Sequence, residues 1–118
     1  MIADKLVKHW IPSLATFCML LALFIGGAQD GAGSLFANPW DKLAHIVFFF
    51  CFTIFLSAGF NLSIVTTVIL ALLIGALDEF HQILLPNRFA GVDDWLADVF
   101  GVVLAVGFIL SRIKMNKK

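Results

Sequence analysis

From Leu43 through Leu77 the chain carries no Asp, Glu, Lys or Arg, and no other feature restricts its possible folds as strongly. One bilayer crossing takes roughly 20 apolar residues. The stretch is therefore too long for a single buried strand or helix and supplies two crossings. Gly59-Phe60-Asn61 provides the tight turn between them. The composition points the same way. The 118 residues are 61% hydrophobic and 14% charged, with a mean hydropathy of +0.99, whereas soluble domains are about 45–50% apolar and about 25% charged. Thirteen Phe and no Tyr suit hydrocarbon, where Phe is readily accommodated. The length allows one compact membrane domain over residues 1–118 and no separate soluble domain.

Four apolar segments emerge: about Trp10–Ala28, Leu43–Phe60, Leu62–Leu77 with continuation to Leu84, and Trp95–Ser111. Only helices or closed barrels satisfy their backbone in lipid, and continuous rather than alternating hydrophobicity selects helices. The expected fold class is an all-α bundle of four transmembrane helices. Gln29-Asp30-Gly31-Ala32-Gly33-Ser34 forms a polar link, Asn38-Pro39 reads as an N-cap followed by proline at the first helical position, and Leu85-Pro86-Asn87 stops the third helix. The first segment has a rival reading as a secretory signal, with Lys5 and Lys8 before an apolar core and Gly26-Gly27-Ala28 after it. Its length favours a retained helix. Cys18 and Cys51 lie in apolar runs without metal or redox spacing and read as structural.

Charge sets the orientation. Lys5 and Lys8 precede the first span, and Arg112, Lys114, Lys117 and Lys118 follow the last. An even number of spans with basic flanks puts both termini in the cytoplasm. Lys42 and Arg88 then lie outside with Asp30, Asp41, Asp78, Glu79, Asp93, Asp94 and Asp98. Trp10 falls at the inner interface and Trp40 and Trp95 at the outer one, as an aromatic belt.

The acids are not scattered. Counting about 1.5 Å per residue outward from the Gly59–Asn61 turn places Asp41 and Glu79 at similar heights. Asp41 and His45, spaced i, i+4, share a face of the second helix; Asp94 and Asp98 share one on the fourth. His45 and Asp98 then have similar depths. Asp78, His81 and Gln82 are related by three and four residues on the third helix, as Glu79 and Gln82 are by three. Arg88 is the natural counter-charge, able to clamp acids from two helices or to bind phosphate. Ionisable groups at this depth are functional-site candidates, although the same set also suits an interhelical clamp. His45, Asp41, Glu79, His81 and Asp98 are metal-ligand types, but no diagnostic run joins them and no metal site is assigned. Phe48, Phe49, Phe50, Phe52 and Phe55 surround the second helix as lipid-facing or packing surface. Ala71-xxx-Gly75 and Gly101-xxx-Ala105 are small-xxx-small patterns that predict close approach of the third and fourth helices.

Three ordered pieces carry a family resemblance: Asp41-Lys42-xx-His45 before the Phe-rich stretch, Asp78-Glu79-x-His81-Gln82 with Pro86-x-Arg88, and Asp94-xxx-Asp98-xx-Gly101. Together they resemble the VanZ-like family of small bacterial membrane proteins from Asp41 to about Gly107, with Asp98 where many members carry Asn. The resemblance implies a multi-pass protein of the bacterial cytoplasmic membrane. It also implies an envelope role, the name member being associated with reduced susceptibility to the lipoglycopeptide teicoplanin.

The leading functional expectation is binding of an anionic lipid-linked or peptidoglycan-related component at the outer face. Its ligand-binding set is Asp41, Lys42, His45, Asp78, Glu79, Gln82, Arg88, Asp94 and Asp98. The alternatives are an enzyme acting on a lipid-linked phosphate, with His45, Glu79 or Asp98 as catalytic candidates, and proton-linked transport through Asp98 and His45. Transport through so few helices requires a homo-oligomer. Membrane lipids are the expected partners, and nothing supports nucleic-acid binding. No cofactor is specified.

Overall fold

The computed structural model describes residues 2–29, 40–86 and 91–117, with side chains described from residue 8 onward. Asn38-Pro39, most of the polar link after Gln29, and Arg88 lie outside the described residues. Among those described there are four long α-helices and no strand: α1 (Ile2–Phe24), α2 (Trp40–Phe60), α3 (Ile64–Ile83) and α4 (Val92–Asn116), with a short 3-10 turn over Gly26–Ala28. Four segments among them are long and apolar enough to cross a bilayer: Lys8–Ala28, which takes in most of α1 and the 3-10 turn, and the whole of α2, α3 and α4. Outward-facing Leu14, Phe17, Leu73, Leu77, Phe100 and Val103 are more than 40% exposed. An apolar exterior of this extent is made for lipid.

The α2–α3 turn follows from local chemistry. Asn61 adopts φ 51°, a left-handed conformation that Asn tolerates better than most residues. The Leu62 N–H then donates to Ser57 O at 3.1 Å, closing the exposed carbonyls of α2 in a Schellman arrangement. Ser63 caps α3, its Oγ accepting from the Thr66 N–H at 3.2 Å. Both apolar runs therefore end in satisfied backbone.

The core is small: Phe49, Phe52, Leu56, Ala71 and Val102. Phe48, Phe49 and Phe52 touch ring to ring at 5.3–6.1 Å between centroids, so part of the Phe cluster is interior packing rather than lipid surface. Buried Thr16, Thr53 and Thr67 donate to the carbonyls four residues earlier at 2.8, 2.6 and 2.8 Å, so each of these hydroxyls is paired within the apolar interior.

Helix pairing departs from the small-residue expectation in one respect. The most extensive helix contact is α2 with α4. A Cβ on Gly101 would sit 2.5 Å from Ile46 O and 3.1 Å from Phe50 N, so Gly101 seats α4 directly on the α2 backbone. Gly75 does serve the α3–α4 approach, since a Cβ there would lie 3.1 Å from Asp98 Oδ2 and 3.4 Å from Trp95 Cδ1. Trp95 is correspondingly a packing residue: it is half-buried and its Nε1–H donates to Leu72 O at 3.3 Å. Trp10 and Trp40 are exposed.

The first segment is helical and packs chiefly on α2. Its fastening is polar. Ser13 Oγ lies 2.6 Å from His9 O and 2.8 Å from Gly59 O, and His9 Nδ1 reaches Ala58 O at 3.0 Å. Neither His9 nor Ser13 stood out in the sequence, because neither belongs to the acidic pattern.

Candidate functional site

The polar groups of α2, α3 and α4 meet at the end of the bundle away from the Gly59–Asn61 turn, in two layers. The outer layer lies at the first turns of α2 and α4, where helix N-termini favour carboxylates. Lys42 is its hub. Its Nζ lies 3.0 Å from Asp41 Oδ2 and 3.1 Å from Asp93 Oδ2, and also pairs with Asp94 Oδ1. Only 12% of the Asp94 side chain is exposed, against 71% for Asp93, so the Lys42–Asp94 pair is the one screened from solvent. It ties α2 to α4. The sequence offered Arg88 as interhelical clamp or phosphate ligand and placed Lys42 in the ligand-binding set; here Lys42 is committed to three carboxylates.

One turn deeper, His45 Nδ1 lies 2.6 Å from Asp98 Oδ1, and Asp98 is 1% exposed. The depth counting had placed these two residues at one level, and the structure joins them. α3 supplies the third wall. Gln82 Nε2–H donates to Asp78 Oδ2 at 3.1 Å, while the Gly91 N–H, at the start of α4, donates to Glu79 Oε2 at 3.2 Å. Glu79 thus anchors the entrance of α4 as well as facing the centre. Gly75 leaves room for Asp98 beside α3.

The result is a compact donor set. Ligand atoms of His45, Asp78, Glu79 and Asp98 all lie within 4.8 Å of one another. Two ionised carboxylates at that spacing repel by about 3 kcal/mol at an effective dielectric near 20, so the cluster needs protons, cations or hydrogen-bond donors to persist. Two of its oxygens, Glu79 Oε1 and Asp98 Oδ2, are buried without a hydrogen-bond partner.

The remaining predicted residues fall around this centre. Asp41 stays in the outer layer with Lys42. His81 turns away: its ring packs edge-on against Phe24 at 5.5 Å, with Nδ1 buried and unpartnered. Asp78 takes the place among the donor types that the sequence reading gave to Asp41 and His81. The i, i+3 and i, i+4 relations along α3 allowed Asp78, but they do not say which neighbour each face meets. An open apolar groove of ≈ 690 Å³ is lined by Met19 of α1 and by residues of α2 including Trp40, Leu43, Val47 and Cys51. Its lining is apolar and includes none of the residues of the polar centre.

Chemically, the centre can exchange protons through His45, accept hydrogen bonds through its carboxylates, or gather a cation. A search of curated proteins found no match, and neither did a search of solved structures. A comparison with protein families matched VanZ/LLP1 over residues 5–114, nearly the whole chain. The match takes in α2 and α3 whole, nearly all of α1 and α4, and every residue of the polar centre, and the chain belongs to the VanZ/LLP1 family of multi-pass membrane proteins.

Proposed function

We propose that this VanZ-family protein lies in the bacterial cytoplasmic membrane with its polar end outward and binds there an anionic, lipid-linked component of the cell envelope. One observation carries the reading: His45, Asp78, Glu79 and Asp98 converge from three helices at one end of an otherwise apolar bundle. The excess of basic residues beyond the first and last spans supports the orientation. Buried carboxylates and Gln82 suit the hydroxyls and amides of a glycan or peptide headgroup. Arg88, in the segment between α3 and α4, supplies the phosphate contact, because Lys42 is already paired with three acids. Occupying such a precursor would alter susceptibility to lipoglycopeptides of the teicoplanin type.

Native mass spectrometry of the purified protein with defined envelope lipids tests this. A single retained adduct of a lipid-linked phosphate, lost in Glu79→Gln and Arg88→Ala proteins that remain helical, is the expected result. Adducts equally retained by the variants would refute it.

The His45–Asp98 pair favours a second reading, catalysis on the same lipid. A carboxylate holding Nδ1 leaves Nε2 to take up or release a proton. Product formation from the bound phosphate lipid, abolished by His45→Gln while the adduct persists, distinguishes an enzyme from a binder.

A further inference from the structure

We propose that His45, Asp78, Glu79 and Asp98 form a binding site for one divalent metal ion of the Zn²⁺ or Mn²⁺ type. The donor set is one imidazole nitrogen and three carboxylate oxygens, drawn from three helices and mutually within 4.8 Å. Such a mixture suits ions that accept both nitrogen and oxygen, rather than the all-oxygen shells of Ca²⁺ and Mg²⁺. Ligand distances of about 2.1 Å put donors about 3.4 Å apart around a tetrahedral ion. From a spacing of at most 4.8 Å the donors need to draw together by no more than about 1.4 Å.

A cluster of acids does not by itself make a site, but two buried oxygens here point to a ligand. Glu79 Oε1 and Asp98 Oδ2 have no hydrogen-bond partner, although Glu79 is 9% exposed and Asp98 1%. Their sister oxygens are both used, one by the Gly91 N–H and one by His45 Nδ1. Each carboxylate is thus oriented by one oxygen and left with the other free. Asp98 Oδ2 lies on the α3 side, against Gly75, one turn from Asp78 and Glu79. Buried acceptors held in place and left unpaired are costly to a fold, and a divalent ion satisfies both at once. The Gly91 N–H on Glu79 is the kind of outer-shell hydrogen bond that orients a ligating carboxylate in a metal site. Gln82 likewise donates to Asp78 Oδ2 at 3.1 Å.

The inference rests on the donor set and does not depend on the lipid reading. Metal-stripped full-length protein in detergent without added envelope lipid is titrated with Zn²⁺ and Mn²⁺, with Mg²⁺ and Ca²⁺ as controls. Bound metal is counted by elemental analysis, and bound Mn²⁺ is probed by pulsed electron paramagnetic resonance. The expected result is one ion per chain, a coupling to a single imidazole nitrogen, and affinity lowered at least about tenfold in Glu79→Gln and Asp98→Asn. Loss of the nitrogen coupling is expected in His45→Gln. Circular dichroism verifies that each variant is folded. Absence of saturable binding to the folded wild-type protein overturns the proposal. So does wild-type affinity in the folded Glu79→Gln and Asp98→Asn proteins, or a nitrogen coupling that survives His45→Gln. Lipid adducts are measured separately, so a protein that binds lipid but no metal refutes this site and leaves the lipid reading standing.

Discussion

Replacing Gly101 with alanine should loosen the α2–α4 pair and, through it, the polar centre. The added Cβ would stand 2.5 Å from Ile46 O and 3.1 Å from Phe50 N. Both are backbone atoms and cannot swing aside. Restoring an ordinary contact distance of 3.4 Å to the carbonyl requires the helices to part locally by about 0.9 Å. Carried rigidly to the next turn, that movement would stretch the His45–Asp98 contact from 2.6 Å to about 3.5 Å, where a hydrogen bond has lost most of its strength. Overpacking of this kind costs about 1–3 kcal/mol, and a bond to a charged group contributes about 1.5–3 kcal/mol. Because relaxation shares the strain between them, the expected loss is about 2–4 kcal/mol. Denaturant titration in bicelles, followed by tryptophan fluorescence and circular dichroism, measures it. Gly107→Ala is the internal control: the same helix, the same substitution, and nothing within 4 Å of the new Cβ. It should be neutral or more stable by up to about 1 kcal/mol. Equal stability of the two variants would refute the argument that Gly101 is required by close packing.

Lys42→Met should destabilise the bundle by about 1–3 kcal/mol, less than a fully buried pair, because Lys42 is 27% exposed while Asp94 is left without its cation. Adding Asp94→Asn should recover most of the loss in the same titration. Asn61→Ala should cost about 1–2 kcal/mol from the left-handed backbone at φ 51°, whereas Asn61→Gly should cost nothing measurable by denaturant midpoint. Gly59→Ala should displace α1, since its Cβ would lie 2.6 Å from Ser13 N. The expected loss of about 1–3 kcal/mol should come with faster amide exchange in the Ala58–Phe60 turn.

Much of the architecture was readable before any coordinates. The apolar runs mark the middles of the helices better than their ends: α1 begins at Ile2 and α4 runs to Asn116, beyond the expected Trp10 and Ser111, while α2 begins at Trp40, next to the Asn38-Pro39 start signal, with Asp41 in its first turn. Hydropathy averages over a segment and does not resolve a polar first turn. Similar heights for His45 and Asp98 also followed from helix rise alone. The partners of Lys42 did not follow, because a flexible four-carbon side chain reaches several carboxylates and only the α2–α4 geometry selects among them. Nor did the role of Gly101: a small residue announces a close approach without naming the helix that approaches.

Residue order by itself therefore determined what is one-dimensional in this protein. Where the chain turns apolar, where it turns polar, and how far each ionisable group lies from a turn are properties of local sequence and a fixed rise per residue. Tertiary structure alone decided what depends on the rotation of each helix about its axis. It placed Asp78 rather than Asp41 or His81 beside His45, Glu79 and Asp98, and it left Glu79 Oε1 and Asp98 Oδ2 buried and unpaired. Spacing tells which residues share a face. Packing, through Gly101 on α2 and Gly75 beside Asp98, tells what that face meets.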